Sequence, residues 1–549
     1  MTAPFALLLL ACLGACPSRG TSPVAPTPAP DDTPARLKIA QLEAIRGGGL
    51  AELTELVLHG SAVERPLAIR ALGRLGGARA TEVLLGIVRE GKDRARVAAA
   101  VAAIGLAASL DETTADPATT QLLVGSLGVA KDELAIEGIG RAADASAQPA
   151  LVALLGAPPL LARAAAIALG RYGRRKLELS DASRAALATA GGHTDPGVRY
   201  AVAWALAREQ LPPDAAADRF PDVTQRLAKL AADPEPEVRA QAISGLARRK
   251  TVRVAAPVIT SALGDADWRV AVEAVRALTS EASDDAGRDA VAGKLASWTA
   301  KLAADPPRAH VVLEALRGLA PHARRPAVAT AIGELRVRLA NTLPEGTRGW
   351  IECLTTVLAV RAAPAPSYAM VETCALPDHL RLPLLAGLID GDVGSLVERR
   401  RALRVLLAHP DVRVRGAGLG ALASLWKAGD VADRRAAIAA VSSALMSKDA
   451  ILVGSATEAA GALYELNDAT ERAALDAAVV TRARNEREAD LATPLLELIG
   501  KYKLASGVAA CRAGLAGRPY RPRPHAHASP RSASRQRRTP RWRRRSRHR

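Results

Sequence analysis

The 549-residue chain is long enough for several ordinary domains or for one long repeat array. Hydrophobic residues make up 49% of it but aromatic residues only 3%, which argues against a sheet-rich protein, because strands favour β-branched and aromatic side chains. The formal net charge of +18 does not describe the whole chain: residues 518–549 hold 13 arginines and no lysine or acidic residue, whereas the rest is nearly balanced, with 61 basic and 56 acidic residues. Because alanine and leucine, both strong helix formers, supply most of the apolar surface, we expect an all-α fold.

Residues 1–15 predict a signal peptide of the bacterial lipoprotein type. MTAPFALLLLACLGACPSRG has an apolar core of signal-peptide length that is too short to span a bilayer as a mature helix. The motif LGAC resembles a lipobox, in which the chain is cut before a cysteine that receives the lipid, here Cys16. LLAC, ending at Cys12, is a poorer candidate. Because no lysine or arginine precedes the apolar stretch, an ordinary secretory signal with incidental cysteines stays open as the alternative.

Residues 16–36 are predicted to form a disordered, proline-rich linker. The stretch PSRGTSPVAPTPAPDDTP has six prolines among eighteen residues. Such a segment stays extended and cannot pack a core, so it acts as a semi-rigid spacer. Behind a lipidated cysteine, it would hold a folded body away from a membrane surface.

From about residue 60 onward, the chain repeats one phrase: an Asp, a few residues, Val-Arg, then Ala and Leu at helical spacing. The clearest copies are DPGVRYAVAWALA (195–207), DPEPEVRAQAISGLA (233–247), DADWRVAVEAVRAL (265–278) and HPDVRVRGAGLGALASL (409–425). Weaker copies begin at residues 64, 94, 131, 160, 308 and 451. Periods of this length indicate a repeat architecture.

Each part of the phrase has a physical role. The leading Asp, often followed by Pro, fits a helix N-cap and first turn. The Arg can pair with an Asp of a neighbouring repeat, so that charges form a ladder along the stack. The apolar residues form one stripe, and a helix pair with such a stripe must stack on its neighbours. The predicted caps and ladder residues are Asp195, Arg199, Asp233, Arg239, Asp265, Arg269, Asp411 and Arg415.

The repeated phrases resemble HEAT repeats, particularly the short bacterial type, over about residues 37–510. The resemblance implies a right-handed α-solenoid of stacked helix pairs, and members of this group mostly bind other proteins. The predicted arrays are residues 37–320 and 401–512. Residues 321–400 lack the Asp…Val-Arg signature and are either divergent repeats or an insertion.

No phosphate loop, nucleotide-binding turn, nucleophile elbow or zinc-chelating histidine spacing is present, so we predict no catalytic residue, metal or cofactor. Cys353 and Cys374 are 21 residues apart. In an exported protein they could form a disulfide, and two buried thiols are the alternative. A reactive or metal site of Cys374 with Asp378 and His379 is a further possibility. Trp204 and Trp268 are expected to fill gaps between repeats rather than to recognise a ligand.

Residues 513–549 are predicted to be a basic, disordered tail. Taken as it stands, the arginine-rich segment 518–549 would bind nucleic acid or anionic lipid without sequence preference. A frameshifted origin is an alternative, because GC-rich codons read out of frame yield the same Arg, Pro, Ser and Ala composition.

These observations predict a non-catalytic protein-binding scaffold whose partner the sequence does not identify. It would be exported to the cell envelope and lipid-anchored, facing the periplasm or the cell surface. One alternative is the repeat portion of a cyclophilin-type prolyl isomerase whose catalytic domain is missing from the chain. A second alternative is nucleic-acid binding through the basic tail.

Overall fold

The computed structural model describes residues 32–515, except 210–219, 249–251, 281–282, 303, 340–344, 365, 467–471 and 487. The described residues form helices joined by turns, and no strand occurs among them. The predicted signal peptide, Cys16 and residues 516–549 of the tail lie outside the described residues, so the predictions made for them stay predictions. Within the part that is described, no helix is both long and apolar enough to cross a membrane.

The chain divides into two compact units, residues 1–406 and 407–549. The helices of the first unit are α1 (Thr33–Ala44), α2 (Leu50–His59), α3 (Glu64–Leu75), α4 (Gly77–Glu90), α5 (Arg94–Leu110), α6 (Pro117–Gly125), α7 (Glu133–Ala142), α8 (Gln148–Ala153), α9 (Pro159–Arg174), α10 (Asp181–Ala190), α11 (Pro196–Leu206), α12 (Pro221–Leu230), α13 (Pro236–Arg248), α14 (Val252–Ala262), α15 (Trp268–Thr279), α16 (Asp285–Ala300), α17 (Arg308–Leu319), α18 (Pro326–Leu339), α19 (Glu345–Ala362), α20 (Ala369–Glu372), α21 (Asp378–Arg381) and α22 (Pro383–Asp390). Helix α23 (Leu396–Ala408) runs across the division, and the second unit contains α24 (Val412–Ala428), α25 (Val431–Leu445), α26 (Ala450–Leu466), α27 (Ala473–Asn485), α28 (Ala489–Lys501) and α29 (Val508–Leu515).

The first unit is a two-layered stack of helices. The odd-numbered helices α1 to α19 form the first layer, in which each packs on the next. The even-numbered helices α4 to α18 form the second layer and pack against the first-layer helices beside them. This alternation is the architecture of an α-solenoid, and the predicted all-α solenoid is confirmed.

The second unit repeats the same alternation by itself. Helices α24, α26 and α28 pack in sequence, and so do α25, α27 and α29. Helix α25 packs against both α24 and α26, which joins the two rows. The unit therefore has the two-layered organisation expected for residues 401–512.

The segment without the Asp…Val-Arg signature is helical and stacked for its first half. Helix α18 packs on α16, and α19 packs on both α17 and α18, so the alternation continues to Ala362. Only afterwards does the chain form the short helices α20, α21 and α22. The absence of the phrase therefore does not mark the end of the stacking.

Two predicted boundaries differ from the structure. Helix α1 begins at Thr33, inside the predicted linker 16–36, because Pro34 occupies the first helical turn, where no backbone N–H is needed. Ile39 and Leu42 are buried and give α1 its contact with α3. At the other end, α29 extends to Leu515, inside the predicted tail 513–549.

Small residues let the first-layer helices approach one another. A Cβ atom on Gly138 of α7 would lie only 2.3 Å from the carbonyl oxygen of Val101 in α5. A Cβ on Gly173 of α9 would lie 2.2 Å from the carbonyl oxygen of Arg208, just after α11. In contrast, a Cβ on Gly86 of the second-layer helix α4 would meet no atom within 4 Å. Glycine is therefore required by packing in the first layer but not at this position of the second.

Two glycine-to-alanine substitutions isolate this packing effect. Gly138→Ala should destabilise the protein by about 1–3 kcal/mol, because the new methyl group would force α7 away from α5. Gly86→Ala is the matched control: it brings the same gain in helix propensity, up to about 1 kcal/mol, without a clash. Urea unfolding followed by circular dichroism measures both. Equal shifts of the two variants would contradict the close-packing explanation.

Candidate protein-interaction surface

The loops that lead into several helices share one hydrogen-bonding arrangement. A side chain two residues before the helix-capping residue accepts a hydrogen bond from the backbone N–H of the capping residue. Before α13 and α15, the acceptors are Asp233, which binds the N–H of Glu235 at 2.9 Å, and Asp265, which binds the N–H of Asp267 at 2.8 Å. The equivalent acceptors before α11, α24, α26 and α28 are His193, His409, Ser447 and Glu486.

An arginine at the fourth position of a helix joins one such loop to the next. Arg199 of α11 donates to both carboxylate oxygens of Asp233 at 2.7 and 2.9 Å, and its third nitrogen donates to the carbonyl oxygens of His193 and Thr194. Arg239 of α13 makes the same contacts one repeat later: its guanidinium binds the Asp265 carboxylate at 2.8 Å, and it donates to two carbonyl oxygens of its own loop. We call this series the Arg–Asp ladder.

The next rung of the ladder comes from a different helix. The fourth residue of α15 is Ala271, whose side chain cannot donate a hydrogen bond. Instead, Arg308, the first residue of α17, donates to the carbonyl oxygens of Asp265 and Ala266 at 2.9 and 2.6 Å and to the carboxylate of Asp305 at 2.8 Å. Arg308 is buried. Arg308 therefore bridges the equivalent groups, two carbonyl oxygens of one loop and a carboxylate of the next. Here, however, the arginine comes from the following repeat.

Arg269 lies outside the ladder, and Asp233 and Asp265 accept ladder arginines without capping a helix. Arg269 is the second residue of α15, not the fourth, and binds Asp267 at its own helix start and Glu237 of the preceding repeat. Asp233 and Asp265 do not cap helices: Asp267 caps α15, and Asp233 lies three residues before α13. Arg269 follows the capping residue of its helix by two positions, whereas Arg199, Arg239 and Arg415 follow theirs by four.

The other predicted residues, Asp195, Asp411 and Arg415, lie at the starts of α11 and α24. Asp195 caps α11 by accepting the backbone N–H of Val198, and Asp411 caps α24 by accepting that of Arg413. Arg415, the fourth residue of α24, donates to the carbonyl oxygens of His409 and Pro410 at 2.7 Å each. Like Arg199, Arg415 thus donates to two carbonyl oxygens of the loop before its own helix, here in the second unit.

The rung formed by Arg199 and Asp233 is largely shielded from water. The side chains of Asp233 and Arg199 are 5% and 13% exposed. Burial alone would raise the pKa of Asp233, but the hydrogen bonds from Arg199 and from the Glu235 N–H outweigh it and hold the pKa below its usual value. Removing one partner of such a pair leaves a buried charge unmatched, so the rung couples two repeats strongly.

At the opposite ends of the first-layer helices, a second set of arginines recurs. The pattern small-apolar-small-Arg ends four consecutive helix phrases, as GIGR, ALGR, ALAR and GLAR. With the nearby Arg174, these residues form what we call the arginine row: Arg141, Arg171, Arg174, Arg208 and Arg248.

The arginine row contains few acidic partners. Arg141 and Arg171 share the single carboxylate of Glu137, at 3.3 and 3.0 Å. Among the described residues, neither Arg174 nor Arg248 has an ion-pair partner, and both side chains are exposed.

Arg208 is held by Trp204. Its guanidinium carbon lies 3.7 Å from the centre of the Trp204 ring, and it donates to the Trp204 carbonyl oxygen at 3.0 Å. Burial lowers the pKa of Arg208 to about 10, and the neighbouring Arg248, Arg174 and Arg171 contribute to the decrease. The pKa of Arg171 is lowered as well, first by burial and then by Arg141. The arginines therefore lie close enough to repel one another.

The two tryptophans singled out in the sequence contact neighbouring repeats. A Cβ on Gly170 of α9 would lie 2.6 Å from the Trp204 ring, so this ring covers the glycine of the preceding repeat. Trp268 of α15 packs its ring against that of His310 in α17, with centroids 4.8 Å apart. Both rings are partly exposed.

Cys353 of α19 and Cys374, just after α20, are joined as a disulfide, with Cα atoms 5.4 Å apart. Cys511 is a half-buried free thiol. Among the described residues, no three His, Cys, Asp or Glu side chains are grouped as a metal site would require. The two alternative functions stay predictions: nothing tests the alternative of a catalytic domain that is missing from the chain, and the basic segment 518–549 lies outside the described residues.

The comparisons with known proteins agree with this repeat architecture. Residues 223–317, which contain α13 to α16 and most of α12 and α17, match the family model for HEAT repeats. This match identifies residues 223–317 as HEAT repeats, and stacked helix pairs continue on both sides of that segment.

Two solved structures and the curated proteins complete the comparison. A chain of the condensin Cnd3–Cnd2 subcomplex of S. pombe is 12% identical, with 88% of this chain and 69% of that chain covered and a TM-score of 0.34. A chain of the complex of Kap95p with RanGDP is 13% identical, with 86% and 67% covered and a TM-score of 0.36. No curated protein sequence matches the chain.

Replacing Asp233 by Asn tests the ladder. At pH 7 we expect Asp233→Asn to reduce the free energy of unfolding by roughly 1–3 kcal/mol, because Arg199 loses a charged acceptor. Since the pKa of Asp233 is depressed in the folded protein, its stabilising effect is present above the unfolded value of about 4 and is lost as the pH falls through the folded value. The difference between wild type and variant should therefore shrink below about pH 4.

Asp181→Asn is the matched control, because Asp181 also pairs with an arginine, Arg184, but its side chain is 97% exposed. Chemical unfolding at several pH values should show no measurable effect of this control at pH 7. A loss equal to that of Asp233→Asn, or one independent of pH, would contradict the assigned role.

Proposed function

We propose that the protein is a non-catalytic scaffold that binds other proteins along its HEAT-repeat array. The observation that carries this proposal is the Arg–Asp ladder, which links the loops of consecutive repeats from α11 to α17 through buried, charge-assisted hydrogen bonds. A frame linked in this way is ordered before a partner arrives. Binding to it costs less conformational entropy than binding to a flexible surface.

The outward side of the first layer is the surface best suited to such contacts. On α11, Tyr200 and Trp204 are partly exposed, and on α13, Gln241 and Ser244 are partly exposed, with Ser244 at the position that corresponds to Trp204. Each helix therefore offers a few side chains at repeated positions. Affinity would come from many modest contacts along the row rather than from one deep pocket.

Site-specific photo-crosslinking in living cells tests the scaffold function. With benzoylphenylalanine in place of Tyr200 or Gln241, we expect crosslinks to the same small set of proteins from both positions. Arg79 of the second-layer helix α4 is the control position, because its side chain is exposed and lies in the other layer. A purified partner should then bind the purified protein in titration calorimetry. Failure to crosslink at 200 and 241, or the same products from all three positions, would refute the assignment.

We also infer that the scaffold is exported and anchored by a lipid on Cys16. The motif LGAC, the apolar core before it and the proline-rich stretch after it support this inference. The disulfide between Cys353 and Cys374 supports it too, because stable disulfides are typical of oxidising compartments outside the cytosol. Two or more acyl chains hold a protein on a membrane, whereas a single chain gives only marginal binding.

Metabolic labelling of cells with a palmitate analogue tests the anchor. Cys16→Ala should abolish label incorporation and release the protein into the soluble fraction, because the lipid acceptor is lost. Cys12→Ala is the matched control and should keep both the label and the membrane association. A labelled, membrane-bound Cys16→Ala protein would refute lipidation at this position.

A further inference from the structure

We propose that the arginine row binds an acidic, extended segment of the protein partner. This inference rests on the scaffold function proposed above and names the chemistry of its partner. The row consists of five guanidinium groups on or just after four consecutive first-layer helices, α7, α9, α11 and α13. Among the described residues, the ion pairs of the row involve one carboxylate, that of Glu137, which Arg141 and Arg171 share.

Two arginines on first-layer helices beyond the row, α3 and α15, are neutralised within the chain. Arg74 ends the phrase ALGR of α3 and pairs with Glu43 of α1. Arg276 of α15 pairs with Glu273 and with Glu314 of α17. The arginines at the C-terminal ends of α7, α9, α11 and α13 therefore have fewer acidic partners than Arg74 and Arg276 have.

The row is preorganised to receive carboxylates. The Trp204 ring and the Trp204 carbonyl oxygen fix the position of Arg208, and the remaining donors of its guanidinium can point to an incoming group. A planar guanidinium can donate two parallel hydrogen bonds to one carboxylate. Because the guanidinium groups repel one another, an acidic ligand would also relieve that repulsion.

The spacing of the row favours a narrow, extended peptide. Packed helices lie about 8–10 Å apart, and a polyproline-type segment presents every third side chain on one side at intervals of about 9 Å. Acidic residues at every third position would therefore meet successive helices. Arg171 and Arg141 are only 17% and 27% exposed, so that separate side chains reach them more easily than a flat layer of lipid headgroups. A single tryptophan in the row is too little for the stacking on which single-stranded nucleic acid depends.

The test compares two charge-reversal variants of the full-length protein. Arg174→Glu/Arg248→Glu removes two exposed members of the row, neither of which has an ion-pair partner among the described residues. Arg79→Glu/Arg336→Glu is the matched control: both side chains are exposed, lie on second-layer helices and make the same change in net charge. Both variants keep residues 518–549 unchanged, so binding by the basic tail is equal in the two proteins.

The probe is a fluorescein-labelled peptide with Glu at every third position between Pro and Ser residues. Fluorescence anisotropy should show binding to wild type that the row variant weakens about 10-fold or more and the control variant less than about 2-fold, since each charge-assisted contact is worth roughly a factor of ten. A peptide of the same composition with its Glu residues clustered should bind more weakly. Circular dichroism should confirm that both variants fold.

Several results would overturn the proposal. Equal weakening in both variants would mean that net charge or the tail binds the peptide. Stronger binding of single-stranded DNA or of anionic phosphatidylglycerol vesicles to the row would assign it to another ligand. If the row variant kept the crosslinks at positions 200 and 241, the acidic-segment proposal would fail while the scaffold function stood; absence of crosslinks in wild type would remove the scaffold function itself.

Discussion

A buried arginine that joins the loop of one repeat to the loop of the next is the interaction on which the array from α11 to α17 depends. Each rung satisfies loop carbonyl oxygens and a carboxylate at once, so it replaces the water that these groups would otherwise bind. The rung of Arg308 shows that the requirement lies in the contact and not in the sequence position. Where α15 carries Ala271, an arginine from α17 reaches the same groups.

The ladder can act only because the helices lie close together. Glycine and alanine at the contacts between α5, α7 and α9 bring backbone against backbone, at positions where a single methyl group would clash. This close approach removes the need for large aromatic core residues, which explains a core built from Ala, Leu, Val and Ile. Composition and architecture are thus two consequences of the same packing constraint.

The two ends of the first-layer helices are used differently. At the N-terminal ends, arginine charges are matched by Asp233, Asp265 and Asp305, and they stabilise the stack. At the C-terminal ends of α7 to α13, arginines recur with few acidic partners. A charge that the fold leaves unmatched on a rigid frame is available to a ligand. In our proposal, one edge of the layer therefore supplies stability and the other recognition.

The sequence by itself determined the fold class, the repeat and the helix starts at Asp195 and Asp411, because a helix period, small residues and N-caps are local signals. It also placed Arg199 and Arg239 opposite acidic residues of the next repeat. Local pattern could not determine that Asp233 and Asp265 receive an arginine instead of capping a helix, that Arg269 lies two positions out of register, or that Arg308 supplies a rung. Those outcomes depend on how the loops of different repeats meet in space. The arginine row was likewise visible only as scattered residues until stacking brought four helix ends together, since distance along the chain says nothing about distance across the layer.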